Sequence, residues 1–433
     1  MTRFGRLDHR MGVALRIGFL LAVPGIAPAC GNSGHLLGSA SGAAGSEMRD
    51  GAAGGSGSDA RDASRADGAS DGAVAACLGL GPPITLPSSA GPACAAALTT
   101  RQHRFALCLC DSLTTTEPFY TDAFDSSGAV IGAQPPAAIG IDGDLQTSTV
   151  VQALGSIYVT GPGGIMSADR IVSLGSLRVS GPTRSLSGSI IDIAQDAYAG
   201  GDLQGFILLG GTLHVAPGAS TAAAMIYAEN VVREPIAIAP PCDCGQSVVD
   251  VAGAIATATR ANGDAAAGIP ADRLAAVTTS TVVDIPCGTY ALSSIDTRAA
   301  VVLAVHGRAL LAVAGDVVLR AGLAVMLDPG AELDLLVGGR LLTSGSNTIG
   351  SMTPARFRIW IAGSQTVVFD DDPSVGAVVH APGAQVNASS GLELSGALFA
   401  KTVAAGARVN VHFDQAVFSV GASCGEPTAI AVP

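Results

Sequence analysis

Apolar and polar residues alternate along most of the chain, in runs of only three to six residues. In one such run, Leu323, Val325 and Leu327 share a face, and in 332–335 two leucines lie opposite two acids. Alternation with a period of two places successive side chains on opposite faces of a strand. The pattern therefore predicts a protein built of very short β-strands.

A glycine followed by a small or polar residue precedes many of these runs. Examples are Gly143, Gly155, Gly175, Gly201, Gly211, Gly315, Gly330 and Gly339. Few neighbouring runs are joined by the Asn-Gly or Asp-Gly turns that connect hairpins. Short runs with small corner residues are typical of solenoids, in which each coil stacks on the previous one. We therefore predict an all-β fold with a minor helix, namely a right-handed parallel β-solenoid over residues 139–424.

A direct repeat near the end of the chain supports the solenoid. The segment 376–389 is answered by 396–413 at an offset of 20 residues, which is about one coil. The two β blocks, about 139–240 and 282–420, are expected to form one continuous solenoid.

One segment shows helical periodicity instead. Its apolar stripe follows a capping pair, Ser247 and Asp250, and ends at Asn262-Gly263. The stripe consists of Val248, Val251, Ala252, Ile255 and Ala258. A second short helix is predicted from Pro270 to Val277, because proline favours the first helical position. This helical insertion, 246–278, either packs on the solenoid flank or marks a domain boundary. The flank is favoured, because a single-striped helix needs a surface to cover.

Residues 1–29 have the pattern of a secretory signal peptide. Arginine-rich residues precede an apolar run at 17–26, and the small residues 27–29 precede Cys30. The site suits ordinary signal peptidase and also resembles a bacterial lipobox, in which Cys30 would carry lipid. We favour lipidation of Cys30. This predicts a protein of the cell envelope, at the outer membrane or cell surface, and the alternative is a secreted protein.

Residues 30–76 are mostly Gly, Ala, Ser and Asp, which predicts a disordered tether.

The chain has nine cysteines, and lipid on Cys30 leaves eight, enough for four disulfides in an oxidising compartment. Their clustering predicts two local sets. The first is Cys77, Cys94, Cys108 and Cys110, in a Cys-rich N-terminal cap at 77–138, and the second is Cys242, Cys244, Cys287 and Cys424. A metal site at either Cys-x-Cys pair is the alternative.

The net charge of −12 and a single lysine, Lys401, argue against nucleic acid as a partner, because nucleic-acid binding needs clustered cations. No common nucleotide-binding, metalloprotease or serine-hydrolase signature is present. We therefore expect no cofactor and no enzymatic activity. The expected partners are a membrane, through the N-terminal lipid, and an envelope polysaccharide or protein.

Four groups of residues are candidate sites. Asp370–Asp372 and the pair Asp142 and Asp144 are either calcium ligands or solvated acidic turns, and we favour turns. His412 and Asp414 share one face of a strand, and His380 lies one coil earlier, so stacking could assemble an acid–base site or only a ladder of like positions. The run Thr278–Thr281 is a minor candidate for ice binding.

Several phrases occur in a fixed order along the second half of the chain. They are Cys-Asp-Cys at 242–244, Ile-Pro-Cys-Gly-Thr-Tyr at 285–290, His-Ala-Pro-Gly-Ala at 380–384, Gly-Ala-Leu-Phe-Ala-Lys at 396–401 and Val-His-Phe-Asp-Gln-Ala at 411–416. This layout, over about 77–424, resembles an uncharacterised β-helical domain of myxobacterial surface lipoproteins and pilus-associated proteins. The first β block also resembles bactofilin-like coils. Both resemblances imply a role in envelope structure or adhesion.

The expected function is thus that of an exported, lipid-anchored envelope protein with a non-catalytic structural or adhesive role. The alternative is a carbohydrate-active β-helix enzyme, a polysaccharide lyase or hydrolase. Such an enzyme needs clustered charges and sugar-stacking aromatics, whereas this chain has 4% aromatic residues and one tryptophan.

Overall fold

The alternating runs form short strands whose apolar faces point into a common core. The computed structural model describes residues 79–89, 91–128, 137–245, 249–345 and 347–424. All strands except those of one hairpin belong to a single sheet with parallel pairing between coils. About 14 turns make up this parallel β-solenoid. At a strand spacing of about 4.8 Å, the stack is roughly 65 Å long. The predicted fold class is confirmed.

The elements before the helical insertion, in chain order, are β1 (Thr85–Ser88), β2 (Gly91–Cys94), α1 (Ala95–Gln102), β3 (Leu107–Leu109), β4 (Leu113–Thr115), β5 (Phe119–Phe124), β6 (Ile139–Ile141), β7 (Leu145–Thr147), β8 (Val151–Ala153), β9 (Ile157–Val159), β10 (Ile165–Ser167), β11 (Arg170–Ser173), β12 (Leu177–Val179), β13 (Thr183–Ser185), β14 (Ile190–Ile193), β15 (Ala197–Ala199), β16 (Leu203–Leu209), β17 (Thr212–Val215), β18 (Ala223–Tyr227) and β19 (Asn230–Arg233).

The remaining elements are α2 (Val251–Arg260), α3 (Asp264–Ala267), β20 (Thr281–Ile285), β21 (Gly288–Leu292), β22 (Ile295–Thr297), β23 (Val301–Val305), β24 (Arg308–Val313), β25 (Val317–Leu319), β26 (Leu323–Leu327), β27 (Glu332–Val337), β28 (Leu341–Thr343), β29 (Thr348–Gly350), a 3-10 turn (Pro354–Arg356), β30 (Phe357–Ile361), β31 (Val367–Phe369), β32 (Ser374–Ala388), β33 (Leu392–Ala405), β34 (Val409–Asp414), α4 (Val417–Val420) and a 3-10 turn (Gly421–Cys424).

The coils do not stack in the order of the chain. β3 and β4 pair with β33, and β5 pairs with β34. One column of buried, register-aligned residues therefore passes from the second β block into the first. In spatial order it is Val301, Leu323, Ile349, Val375, Leu394, Val411, Thr121, Ala153, Ser173, Ile193 and Leu209. The expected single solenoid is present, with the first block stacked on the end of the second.

This order changes the role of the N-terminal segment. Residues 77–138 were expected to cap the solenoid, but β3, β4 and β5 lie in its middle, between β33–β34 on one side and β6–β8 on the other. The coil at the junction is shared, because β34 supplies one of its faces and β3 and β4 supply the other two. The beginning and the end of the folded body therefore meet in a single coil.

The chain must then return from β19, at one end of the stack, to β20 at the other. Residues 234–241 begin this return along the outer face of the first block. Glu234 Oε1 lies 2.7 Å from His214 Nδ1, and a Cβ on Gly140 would lie 3.0 Å from the Pro241 Cβ. Gly140 and His214 are four coils apart in the register. The return segment therefore crosses four coils before it reaches Cys242.

The predicted disulfide sets are wrong. Cys94 is bonded to Cys424, Cys108 to Cys242 and Cys110 to Cys244, so each of these bonds joins one predicted set to the other. The reason is the permuted stacking: the return segment passes directly over β3, and the chain end lies beside α1. Cys287 is also disulfide-bonded.

Helix α2 begins at Val251, where the Asp250 side chain accepts a hydrogen bond from Gly253 N at 2.8 Å. Its buried residues are Val251, Ala254, Ile255 and Ala258, so Ala252 is exposed and does not belong to the packed stripe. The helix lies on the solenoid flank, as expected, because it contacts β21, β24 and β27. There it forms an apolar layer with the β1–β2 hairpin and α1.

The second predicted helix is wrong. Pro270 to Val277 form turns, with the bond from Arg273 N to Pro270 O spanning three residues, and the short helix α3 lies upstream instead. The segment does not form a helix, because Leu274 and Val277 are instead buried over the inward residues of β20. Val277 also forms a β-bridge with Thr297.

Ile255→Asp is expected to lower the thermal midpoint of the β body. Ile255 lies on the buried side of α2, facing the sheet face that carries Leu336 and Trp360. Losing its burial costs about 1.5–3 kcal/mol, and the carboxylate would lie in an apolar layer. Ala256→Asp places the same charge on the exposed side of the same helix. Circular dichroism melts of both variants test this, and equal midpoints would contradict the packing.

Glycine-aspartate corners have a structural role. A Cβ on Gly143 would lie 2.3 Å from Asp111 O in the neighbouring coil, which only glycine tolerates. Asp144 then accepts a hydrogen bond from Gly163 N at 2.8 Å, one coil on. The same kind of bond runs from Thr212 N to Asp196, from Ser220 N to Asp202 and from Arg340 N to Asp316. At Asp144, Asp202 and Asp316 the aspartate follows a glycine of the repeated phrase, so the phrase ties these coils to their neighbours.

The predicted signal peptide at 1–29, the tether at 30–76, the lipidation site Cys30 and the disulfide candidate Cys77 lie outside the described residues, as do Ser247 and Val248 of the predicted helix. In the part of the chain that the structure describes, no helix is long and apolar enough to cross a membrane.

Candidate functional site

His412 lies where the two β blocks meet. It projects from β34, with Nδ1 2.6 Å from Asp122 Oδ1 of β5 and Nε2 2.9 Å from Glu393 Oε2 of β33. The hydrogen bond to Asp122 raises the pKa of His412 to about 9, with Glu393 adding to it and partial burial opposing it. At neutral pH the imidazolium form is therefore favoured, and it bridges a carboxylate from the coil above to one from the coil below.

Asp414 is fully buried two residues further along. Its carboxylate accepts hydrogen bonds from Ser126 N at 3.0 Å, from the Ser126 hydroxyl at 2.6 Å and from Ala355 N at 3.0 Å. It also accepts one from Ala416 N at 3.1 Å. These donors come from three separate segments, so Asp414 fixes their positions and has no oxygen directed at an open site.

His380 belongs to a different cluster. Its ring packs against Trp360 at 4.8 Å, Phe399 at 5.0 Å and His103 at 5.6 Å between ring centroids. Burial lowers the pKa of His380 to about 3, and burial together with His380 lowers the pKa of His103 well below its usual value. Both rings are therefore neutral at physiological pH and act as packing groups.

The three predicted residues thus do not form one acid–base site. A general base must be neutral near the working pH, whereas His412 is charged and both its ring nitrogens are held by carboxylates. Ser395 is its register neighbour in β33. A protonated imidazole cannot accept the proton of that hydroxyl. The chemistry that the arrangement supports is an ionic bridge across the block junction.

The stabilisation that His412 provides is expected to depend on pH. Because the folded-state pKa lies above the ordinary value of 6.5, the contribution is complete below pH 6.5 and is lost as pH rises through about 9. Between pH 6 and 9.5 the wild type should lose more stability than His412→Gln, measured by urea unfolding at each pH. A parallel loss in both proteins would show that His412 titrates near its unfolded value.

The other candidate acids make local hydrogen bonds. Asp370 accepts hydrogen bonds from the hydroxyls of Ser390 and Ser389, which together with Asp371 N lower its pKa. Asp142 accepts one from Cys242 N at 3.1 Å, and burial raises its pKa. Within the described residues, no group of three or more His, Cys, Asp or Glu side chains is arranged to hold a metal ion. The threonine run lies at the β20 end of the stack, where Thr281 begins β20.

A cleft of about 560 Å³ opens beside the junction. Its described lining comes from five parts of the chain, represented by Leu80, Ser126, Glu332, Arg356 and Val420. Neither His412 nor Asp414 is among its described lining residues. Asp328 is engaged by His306 at 2.9 Å, and this contact helps to raise the pKa of His306.

Sequence reasoning missed a buried ionic network on the flank. Arg358 donates to Asp334 through Nε and Nη2, and to Glu332 through Nη2, each at 2.7 Å. Trp360 Nε1 donates to the same Asp334 at 2.7 Å. Burial opposes the charge on Arg358, but Asp334 and Glu332 raise its pKa above the ordinary value. The sequence did contain a sign of this network. Glu332 and Asp334 occupy outward positions of β27, and Arg358 occupies an outward position of β30, one coil away.

Residues 245–419 match a family described as a domain of unknown function (DUF7305). The match begins just before α2 and ends in α4, so it covers the second β block together with its flanking helices. Neither the comparison with curated proteins nor that with solved structures finds a match. The first β block, β6 to β19, thus continues the stack beyond the part of the chain that is similar to this family.

Proposed function

We propose that this protein is exported, is anchored in the cell envelope by a lipid on Cys30, and has a non-catalytic structural or adhesive role. The observation that carries the proposal is the set of disulfides at the block junction. Two of them join Cys108 of β3 and Cys110, which follows β3, to the return segment, and the third joins the beginning of α1 to the end of the body. Such bonds persist in oxidising compartments and are rare in the cytosol.

The leader at 1–29 supports export, and the small residues before Cys30 support lipidation. The resemblance to domains of myxobacterial surface lipoproteins and pilus-associated proteins suggests an outer-membrane or surface position. An envelope polysaccharide or an envelope protein is the proposed partner.

The partners of the acidic and histidine side chains support a role without catalysis. His412, Asp414 and Asp334 are each committed to contacts that hold coils or flanking segments together. In the cleft, Glu332 is paired with Arg358 and Asp328 with His306. Acids held in this way stabilise a stack and are poorly placed to exchange protons with a substrate.

Expression of the full chain in a Gram-negative bacterium tests export and anchoring. The protein should be found in the membrane fraction, and mass spectrometry should show an N-terminal peptide beginning with diacylglyceryl-modified Cys30. Cys30→Ala should move the protein to a soluble fraction outside the cytoplasm. A full-length cytoplasmic protein with reduced cysteines would overturn the proposal, and a cleaved but unmodified Cys30 would overturn the anchor.

The non-catalytic role has its own test. The purified protein is incubated with isolated envelope polysaccharide, and both retention and fragment release are measured. Retention without shortening of the polysaccharide supports the adhesive role. Release of oligosaccharides would favour the alternative of a polysaccharide lyase or hydrolase.

A further inference from the structure

The two ends of the solenoid differ in how their cores are covered. At the β20 end, the inward residues Val283 and Ile285 are 5% and 1% exposed. They lie in the same apolar cluster as Ile269, Leu274 and Val277, which precede β20 and cover it. In the described part of the chain the inward residues of β20 are thus covered, although the outward Val282 is 60% exposed and β20 pairs only with β23.

The β19 end lacks such a cover among the described residues. Val231 follows the buried Leu213 in the inward register of the stack, yet it is 55% exposed. Met225, Tyr227 and Val232, which occupy outward positions of the same terminal coil, are 58%, 52% and 39% exposed. We call the outer edges of β18 and β19 with these four side chains the open end.

The open end also has unpaired strand edges. Among the described strands, β18 pairs only with β16 and β19 only with β17. An exposed strand edge with apolar side chains is a ready template for pairing with another strand. Solenoids normally cover their terminal coils, since an apolar coil end in water is unfavourable.

We propose that the open end docks against the open end of a second copy of this chain, forming a two-fold symmetric dimer. A two-fold contact brings the same strand edge together in antiparallel orientation. Because a two-fold contact uses the same surface of both copies, the association closes at two copies. The proposal does not depend on export or lipidation, so it can fail while the proposed function stands.

The sequence of β19 is self-complementary in this orientation. Opposite residues of an antiparallel pair lie on the same face of the sheet, and a two-fold axis places a residue opposite its own copy. Centred on Val231, the pairing places the inward Val231 opposite its own copy and Glu229 opposite Arg233. Apolar side chains then meet each other, and a carboxylate meets a guanidinium. Arg233 already lies over the end of the stack, where it donates to Ala219 O at 2.9 Å.

The remaining acid beside β19 is paired within its own chain. In this register Glu234 lies opposite Ala228, and its carboxylate is 2.7 Å from His214 Nδ1. A partner of a different sequence would need to supply its own match to this edge, whereas a second copy supplies it by symmetry.

Analytical ultracentrifugation of the full chain carrying Cys30→Ala, to keep it free of lipid, tests the dimer. The measured mass should double with rising concentration and then stop increasing. Adding Val231→Asp at the open end should leave a monomer with an unchanged circular dichroism spectrum. Met326→Asp is the matched control, because Met326 is 63% exposed but lies on the side of the stack.

Dimerisation in the parent and in Met326→Asp, together with its loss in Val231→Asp, supports the proposal. A parent that stays monomeric at all concentrations overturns it, since the end would then be free or covered by the chain itself. Masses that grow beyond two copies, or a Val231→Asp variant that still dimerises, also overturn it.

Discussion

Replacing Arg358 with leucine is expected to lower the free energy of unfolding by about 3–5 kcal/mol, the range for removing one partner of a buried ion pair. The Arg358 side chain is 1% exposed, and it holds Glu332 and Asp334, which are 7% and 0% exposed. Without it, Asp334 keeps the neutral donor Trp360 at 2.7 Å, and Glu332 keeps the more distant Arg308 at 3.6 Å. Urea unfolding followed by circular dichroism measures the loss.

Arg340→Leu is the matched control for this substitution. Arg340 also pairs with an aspartate of the preceding coil, Asp316, at 2.7 Å, but its side chain is 54% exposed. Exposed pairs contribute little because water solvates both charges. Similar losses in the two variants would mean that the flank is not closed over Arg358.

Replacing both Cys94 and Cys424 with serine is the second large effect. The bond joins the N-cap of α1 to the final 3-10 turn, at a sequence separation of 330 residues. Removing a native disulfide typically costs about 2–5 kcal/mol, largely because the unfolded chain gains freedom. We expect a lower thermal midpoint and early detachment of the chain end.

Hydrogen bonds that remain in the double variant limit the damage to this region. Thr100 donates to Val417 O at 2.8 Å and accepts from Gly421 N at 3.2 Å. Hydrogen exchange should therefore show faster exchange in 417–424 first, with β32 and β33 still protected. An unchanged midpoint would show that the bond contributes nothing to the junction.

Much of each single coil could be predicted from the sequence. In β27, Leu333 and Leu335 point inward and Glu332 and Asp334 outward, as their alternation predicts. Alternation depends on local backbone geometry, and a short window of sequence contains it. It does not show that the outward face is buried too, because that cover comes from α2 and the N-terminal hairpin.

The order of the coils could not be predicted. Each coil offers nearly the same apolar layer to its neighbour, so the pattern in β3 matches β33 as well as it would match any other coil. The disulfide pairing depends on that order and cannot be deduced from spacing. His412 was a candidate, but its partner Asp122 lies 290 residues away in the chain. Only the permuted stacking brings the two together.

The most direct test of the permuted stacking is peptide mapping of the native protein under non-reducing conditions, by mass spectrometry. The account predicts linked peptides that join Cys94 to Cys424, Cys108 to Cys242 and Cys110 to Cys244. These links require α1 and β3, at the start of the described chain, to lie beside the chain end and the return segment respectively. Links confined to 94–110 on one side and to 242–424 on the other would contradict it.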